Sequence, residues 1–308
     1  NKHRLGENMD QSIDIDLPRF RAHIVSLLTL KPLCSRNMLI AVYVAYALCL
    51  DQDIAKKKLF FHHAHQVKQL DPFLADFPES RIIGTTRDPR AAYVSYIEHW
   101  RRVVLYTRHP YLPRWVLHRI VESLDPLAKY GDRFRVLRLE DMADEEILTE
   151  VCNWLGISFH SCMTKSTWAG LRWWGDRLST VTPIHGVNEK EFTASIRRSN
   201  WKERLPTFDK FVLNYLLYLR LSAFSYECKK TPTFIYGPLV FMAIVLPTNY
   251  EREWLVPSRL FSLLAKSQYK LFLGIFIHYA KRVFYFYRLF FRRHSGRWSN
   301  LPVFRAHH

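Results

Sequence analysis

An arginine that closes an apolar run and a serine eight positions later carry the most chemical content in this sequence. They stand in Thr86-Arg87-Asp88-Pro89-Arg90-Ala91-Ala92-Tyr93-Val94-Ser95. Asp88 suits a helix N-cap and Pro89 suits the first helical turn. A strand over 81–86 therefore delivers Arg87 to the mouth of a helix. The first amides of a helix lack intrahelical partners, and its macrodipole favours an anion there. Arg87 adds a bidentate phosphate partner and Ser95 adds a hydroxyl donor. A dianionic phosphate fits that set. The plainer alternative is a capped helix beside a surface arginine.

A second constellation is His62-His63-Ala64-His65, which ends the run 57–65. That run is short enough for a buried strand, and a strand places His63 and His65 on one face. An imidazole titrates near neutrality, so it can accept the proton of a hydroxyl that attacks an electrophile. His65 is the first choice for such a base, with His63 beside it. A structural histidine pair is the alternative. No metal is expected, because no carboxylate or cysteine accompanies these histidines at ligand spacing.

Such residues need a scaffold. Residues 14–50 read as helical, with a break at Lys31-Pro32, and Asp71-Pro72 opens a short helix that stops near Phe77-Pro78. A strand over 81–86 precedes the helix at Asp88-Pro89, a second covers 134–139, and a helix covers 145–155. Helix and strand alternate at short spacing, which predicts an α/β domain around a parallel sheet.

The Arg87-to-Ser95 stretch resembles the 3′-phosphate motif of sulfotransferases that use 3′-phosphoadenosine-5′-phosphosulfate (PAPS). The resemblance implies that Arg87 and Ser95 hold the cofactor's 3′-phosphate. His65, 22 positions before Arg87, falls near the family's Lys-Thr-His, whose histidine is the general base; His63 stands where that lysine would be. Residues 130–142 are similar to the family's strand ending in Tyr-Glu-Asp, with Leu139 in place of the tyrosine. By the same resemblance Thr167 and Trp168 line the nucleoside, while Arg197 and Arg198 close over the 3′-phosphate. Trp173 and Trp174 are weaker candidates for an acceptor wall. The matches run in family order from about 59 to 226.

The implied fold is a P-loop-NTPase-like three-layer domain with a central parallel sheet. The implied reaction is sulfuryl transfer from PAPS, a co-substrate used without metal, to an acceptor hydroxyl, with carbohydrate the first expectation. The family's phosphosulfate loop, Lys/Arg-x-Gly-Ser/Thr-Ser/Thr, occurs nowhere in the sequence. An N-terminal truncation is the expectation, and with it weak nucleotide binding and poor turnover. Some branches of the family use a glutamate base near that loop, which leaves the role of His65 open.

Net charge is +17, and residues 229–308 hold 13 Lys and Arg against 2 acids. The expected division is a sulfotransferase domain over 1–228 and a basic, aromatic-rich helical extension over 229–308. The apolar run 234–246 is too short to span a bilayer. Residues 270–293 read as one long helix with His278, Lys281, Arg282, Arg288 and Arg292 as a cationic stripe. Such a helix either packs on the main domain or makes a peripheral contact with an anionic membrane; nucleic acid is not expected. Five scattered cysteines suit a reducing compartment, so the expected location is cytoplasmic with membrane association, or the Golgi lumen in a eukaryote. Two other readings stand beside this one. A P-loop nucleotide kinase would need Gly-x-x-x-x-Gly-Lys-Ser/Thr, which is absent. A non-catalytic basic protein would bind membrane or nucleic acid through its tail.

Overall fold

The structure, a computed structural model, describes residues 2–64, 67–102, 114, 117–118, 121–174, 201–229, 232–294 and 301–305. Its first elements are β1 (Lys2–Leu5), β2 (Gln11–Ile13), α1 (Leu17–Leu28), α2 (Ser35–Cys49) and α3 (Leu70–Asp76). Then come β3 (Ile82–Thr86), α4 (Pro89–Arg102), β4 (Phe134–Arg138), α5 (Glu145–Leu155), β5 (Thr167–Trp168) and β6 (Leu171–Arg172). The remaining helices are α6 (Trp201–Arg204), α7 (Thr207–Leu216), α8 (Tyr218–Ala223), α9 (Thr233–Ala243), α10 (Asn249–Trp254), α11 (Pro257–Ala265) and α12 (Tyr269–His294). The class is mixed α/β, largely helical, with one small parallel pair, β3 and β4. Contacts divide the chain into two units. One holds the described residues of 1–82 and 143–189, the other those of 83–142 and 190–305.

In the first unit, Asp16 caps α1 by accepting from the Arg19 amide at 3.1 Å. Arg19 then ties α1 to the end of α2, donating to the Leu48 carbonyl at 3.1 Å and to Asp51 at 2.7 Å. Helix α5 shows how local signals set both ends. Asp144 accepts from the Glu146 and Ile147 amides, and Gly156 closes the helix at φ 77°, a conformation that favours glycine.

The run 57–64 is not the strand that its apolar residues predict. After a 3-10 turn at Ile54–Lys56 the chain has no regular structure as far as Ala64, and Leu59, Phe60 and Phe61 are exposed. Its side chains find partners singly instead of a neighbouring strand. Phe60 packs on Tyr43 and Phe77 with ring centroids 5.0 and 5.6 Å apart, and His62 stacks on Phe73 at 5.0 Å. The Phe61 carbonyl accepts from the Tyr43 hydroxyl at 2.7 Å. Helices α2 and α3 thus supply the contacts that a sheet would have given.

In the second unit, Gly84 lets β3 approach its neighbours. A Cβ there would lie 2.8 Å from Phe134 and 2.9 Å from Leu124. On β4, Val136 forms a parallel bridge to Val303, donating to the Pro302 carbonyl at 2.7 Å and accepting from the Phe304 amide at 3.0 Å. Helix α12 occupies almost the span read from the sequence, and three of its arginines pair with acids of the same unit. Arg282 is 1% exposed and pairs with Glu251 on α10. Arg288 pairs with Glu122, and Arg292 pairs with both Glu122 and Asp125 at 2.9 and 2.7 Å. Among the described residues no helix is long and apolar enough to cross a membrane. All five cysteines are free.

A buried acid near this helix gives the unit a pH-dependent stability. Asp209, in the first turn of α7, is 3% exposed and accepts from the Asn249 amide at 3.0 Å. Burial pushes its pKa up to about 6; Glu251 pushes the same way, while the Asn249 amide, Arg252 and Arg282 oppose the rise. A raised folded-state pKa means that the stability tied to the proton is complete below about pH 4 and lost as pH rises through about 6. The full swing is of order 3 kcal/mol. Asp209→Asn keeps an acceptor for Asn249 without the charge. Denaturant unfolding should show the variant more stable than the parent at pH 7.5, with the advantage gone near pH 4. Parallel pH curves for the two proteins would contradict this.

Candidate anion site

The site begins where β3 ends. Thr86 is buried, Arg87 is half-buried, and Asp88 makes the turn into α4. The Asp88 amide donates to Glu140 at 3.0 Å, and the Asp88 carbonyl accepts the Ala92 amide at 2.9 Å. Its carboxylate accepts from the Arg90 amide at 2.9 Å, so Asp88 caps α4 as its sequence position predicts.

Arg90 neutralises that carboxylate and is the arginine that faces inward. It is 2% exposed, donates to Asp88 through Nε at 3.0 Å and Nη2 at 2.7 Å, and reaches Asn214 and the Glu227 carbonyl, each at 2.8 Å. Its guanidinium lies 3.9 Å from the Trp201 ring centroid. Glu140 also accepts from the Tyr226 hydroxyl at 3.1 Å, and burial followed by Glu140 pushes the Tyr226 pKa up. Arg138, at the end of β4, holds Asp141 and donates to the Phe224 carbonyl at 3.0 Å. The turn therefore rests on a closed polar frame.

This frame changes the expected anion site. Asp88 already takes one of the first helical amides and places a carboxylate, paired with Arg90, at the helix mouth. Binding capacity then falls to the outward guanidinium groups. Arg87 Nε is buried and has no hydrogen-bond partner among the described residues. Arg87 stands close enough to Arg204 on α6 to lower its proton affinity, second only to burial. Arg204 Nε donates to Glu98 at 2.7 Å. Glu98 follows Ser95 by three residues on one face of α4, and both are half-buried. Arg204 is paired with Glu98, so the neighbouring Arg87 guanidinium adds a second positive charge to one carboxylate. Such a set takes an oxyanion with two or more charges.

No protein-family model, curated protein or solved structure matches this chain.

Of the residues expected from the sequence, Arg87 and Ser95 lie in the second unit. His63 is exposed in the first unit. Thr167 and Trp168 are also there and exposed, on β5, which pairs antiparallel with β6. The Trp168 indole nitrogen donates to the Tyr46 hydroxyl at 3.2 Å, and its ring meets Trp173 at 5.9 Å. His65, Arg197 and Arg198 lie outside the described residues. Among the described residues no three His, Cys, Asp or Glu side chains are grouped to hold a metal ion.

Sequence reading missed Arg204 and Glu98 and did not see that Glu140 and Tyr226 brace the turn. A weak signal for Arg204 existed. It stands six residues beyond Arg198, the second of the two arginines expected over the 3′-phosphate. Nothing in the sequence marked its partner Glu98, 106 residues away.

Proposed function

We propose that this chain is a PAPS-dependent sulfotransferase in which Arg87, Arg204 and Ser95 hold the nucleotide's 3′-phosphate. The observation that carries the reading is the Arg87 Nε–H, buried with no acceptor among the described residues and next to a second guanidinium at the end of a strand. Mutual repulsion between Arg87 and Arg204 raises the value of a dianion there, and the Arg87-to-Ser95 spacing matches the motif of that enzyme class. The parallel β3–β4 pair is read as part of a P-loop-like three-layer sheet, and Arg197 and Arg198 as further phosphate partners.

In the reaction the acceptor's hydroxyl oxygen attacks sulfur. The bond from sulfur to the bridging phosphate oxygen breaks, adenosine 3′,5′-bisphosphate leaves with the electron pair, and the hydroxyl proton passes to a base. His65 is the proposed base, with His63 beside it. Thr167 and Trp168 are proposed to line the nucleoside, and the acceptor to be a carbohydrate hydroxyl.

Calorimetric titration with adenosine 3′,5′-bisphosphate tests the site. Arg87→Ala should weaken affinity by roughly 1.5–3 kcal/mol, the scale of a charge-assisted hydrogen bond. Binding by the parent with the same affinity in Arg87→Ala would remove Arg87 from the site. In a protein that also carries the phosphosulfate loop, an unfolding temperature that does not rise with the nucleotide would remove the enzymatic reading itself and favour the non-catalytic basic protein.

A further inference from the structure

Helix α12 is apolar on two sides. It buries Ile275, Tyr285, Phe286, Leu289 and Phe290 together with Arg282 and Arg293, while Leu273, Phe276, Ile277, Phe284 and Phe291 are exposed, Phe284 by 75%. These outward residues stand three, four or seven positions apart along the helix, so they form one face. Lys281 and Arg288 are the charges exposed among them.

Helix α9 extends the same surface. Residues 232–246 contain no charged side chain. Gly237, Val240 and Ile244 point into the unit, whereas Phe234, Ile235, Leu239, Met242, Val245 and Leu246 are exposed, Met242 by 68%. The two helices run antiparallel. Gly237 neighbours His294, Phe241 packs on Tyr287 at 4.8 Å and on Phe291 at 6.5 Å, and the Val245 carbonyl accepts from Tyr279. Exposed rings at that seam make the two outward faces continuous.

A helix apolar on all sides belongs in a core or in lipid. At 11 residues, α9 is about 16 Å long, roughly half the hydrocarbon thickness of a bilayer. It can lie in an interface but cannot cross one. Charge chooses the occupant. Between 228 and 308 the only acids are Glu251 and Glu253, and Glu251 is buried against Arg282. Lys266, Lys270 and Lys281 are exposed around the apolar face. Apolar and aromatic residues edged by lysines, with no exposed carboxylate on α12, are what an anionic headgroup layer over acyl chains complements.

We infer that the outward faces of α9 and α12 seat this protein peripherally on an anionic phospholipid membrane. This surface stands on residues other than Arg87, Ser95 and Arg204, and each can hold without the other. Flotation with phosphatidylcholine vesicles, with and without phosphatidylserine, tests it on the whole chain. Binding should require phosphatidylserine and fall as salt is raised, a readout that needs no variant. Leu239→Glu with Met242→Glu should reduce partitioning by roughly tenfold or more. Lys270→Glu and Lys281→Glu should each reduce it by about fivefold or more. These side chains point outward, so melting curves should stay unchanged. Absence of flotation overturns the inference, as does flotation unaffected by these substitutions. So does a sedimenting dimer that dissociates in the Leu239→Glu, Met242→Glu variant while lipid binding is absent; the face would then join two copies of the chain.

Discussion

Arg90→Ala is expected to lower the free energy of unfolding by roughly 3–5 kcal/mol, the cost of stranding a buried charge. The guanidinium is 2% exposed and is the main neutraliser of Asp88, itself 5% exposed. Alanine removes four side-chain hydrogen bonds and the face-on contact with Trp201. It also leaves the Asp88 carboxylate in a buried site where, among the described residues, the Arg90 backbone amide that caps the helix is its remaining donor. Lysine keeps the charge but cannot span Asp88, Asn214 and the Glu227 carbonyl together, so Arg90→Lys should recover only part of the loss. Urea unfolding followed by circular dichroism measures both. A loss under about 1 kcal/mol for alanine, the size of an exposed ion pair, would mean that the frame around the turn is not formed.

The second large effect is expected at Arg282. Its Nε donates to both Glu251 oxygens at 2.9 and 3.0 Å, its Nη2 reaches the Leu246 carbonyl at 3.0 Å, and its Nη1 reaches the Ile244 carbonyl. Arg282→Ala leaves Glu251, 5% exposed, without its cation and adds a cavity, for a loss of about 3–5 kcal/mol. Replacing both partners with neutral groups of similar volume is a separate case. Arg282→Met combined with Glu251→Gln should recover at least half of the loss, because no lone charge remains buried. The double variant tests charge against packing, since it retains the volume and gives up the ion pair. A double variant as unstable as Arg282→Ala would show that the carbonyl contacts just beyond α9, not the ion pair to α10, hold α12 in place.

Elements whose ends carry their own signals were legible in the sequence. Asp144 and Gly156 mark α5, Asp88-Pro89 marks the start of α4, and the long apolar period marks α12 to within a residue or two. The run 57–65 was not legible, because Leu59-Phe60-Phe61 looks the same whether a sheet or a set of helix-borne rings covers it. Nor does Arg-Asp-Pro-Arg reveal which arginine faces inward. That depends on Trp201, Asn214 and Glu227, more than a hundred residues away. The cationic stripe on α12 was legible as a period, but not which of its members would be buried: Arg282 is, while Lys281 and Arg288 are exposed. Glu251, Glu122 and Asp125 draw arginines inward, and helical period alone cannot show which side a protein presents to its own acids.

The bridge from Val136 to Val303 has a consequence for biosynthesis. The edge of β4 waits for partners that a ribosome adds roughly 170 residues later, a delay of about ten to thirty seconds at ordinary translation speeds. Throughout that interval the nascent chain carries an unfilled β edge. Final locking of this unit therefore waits until Phe304 has emerged from the ribosome, and a holding chaperone would find its binding window before then.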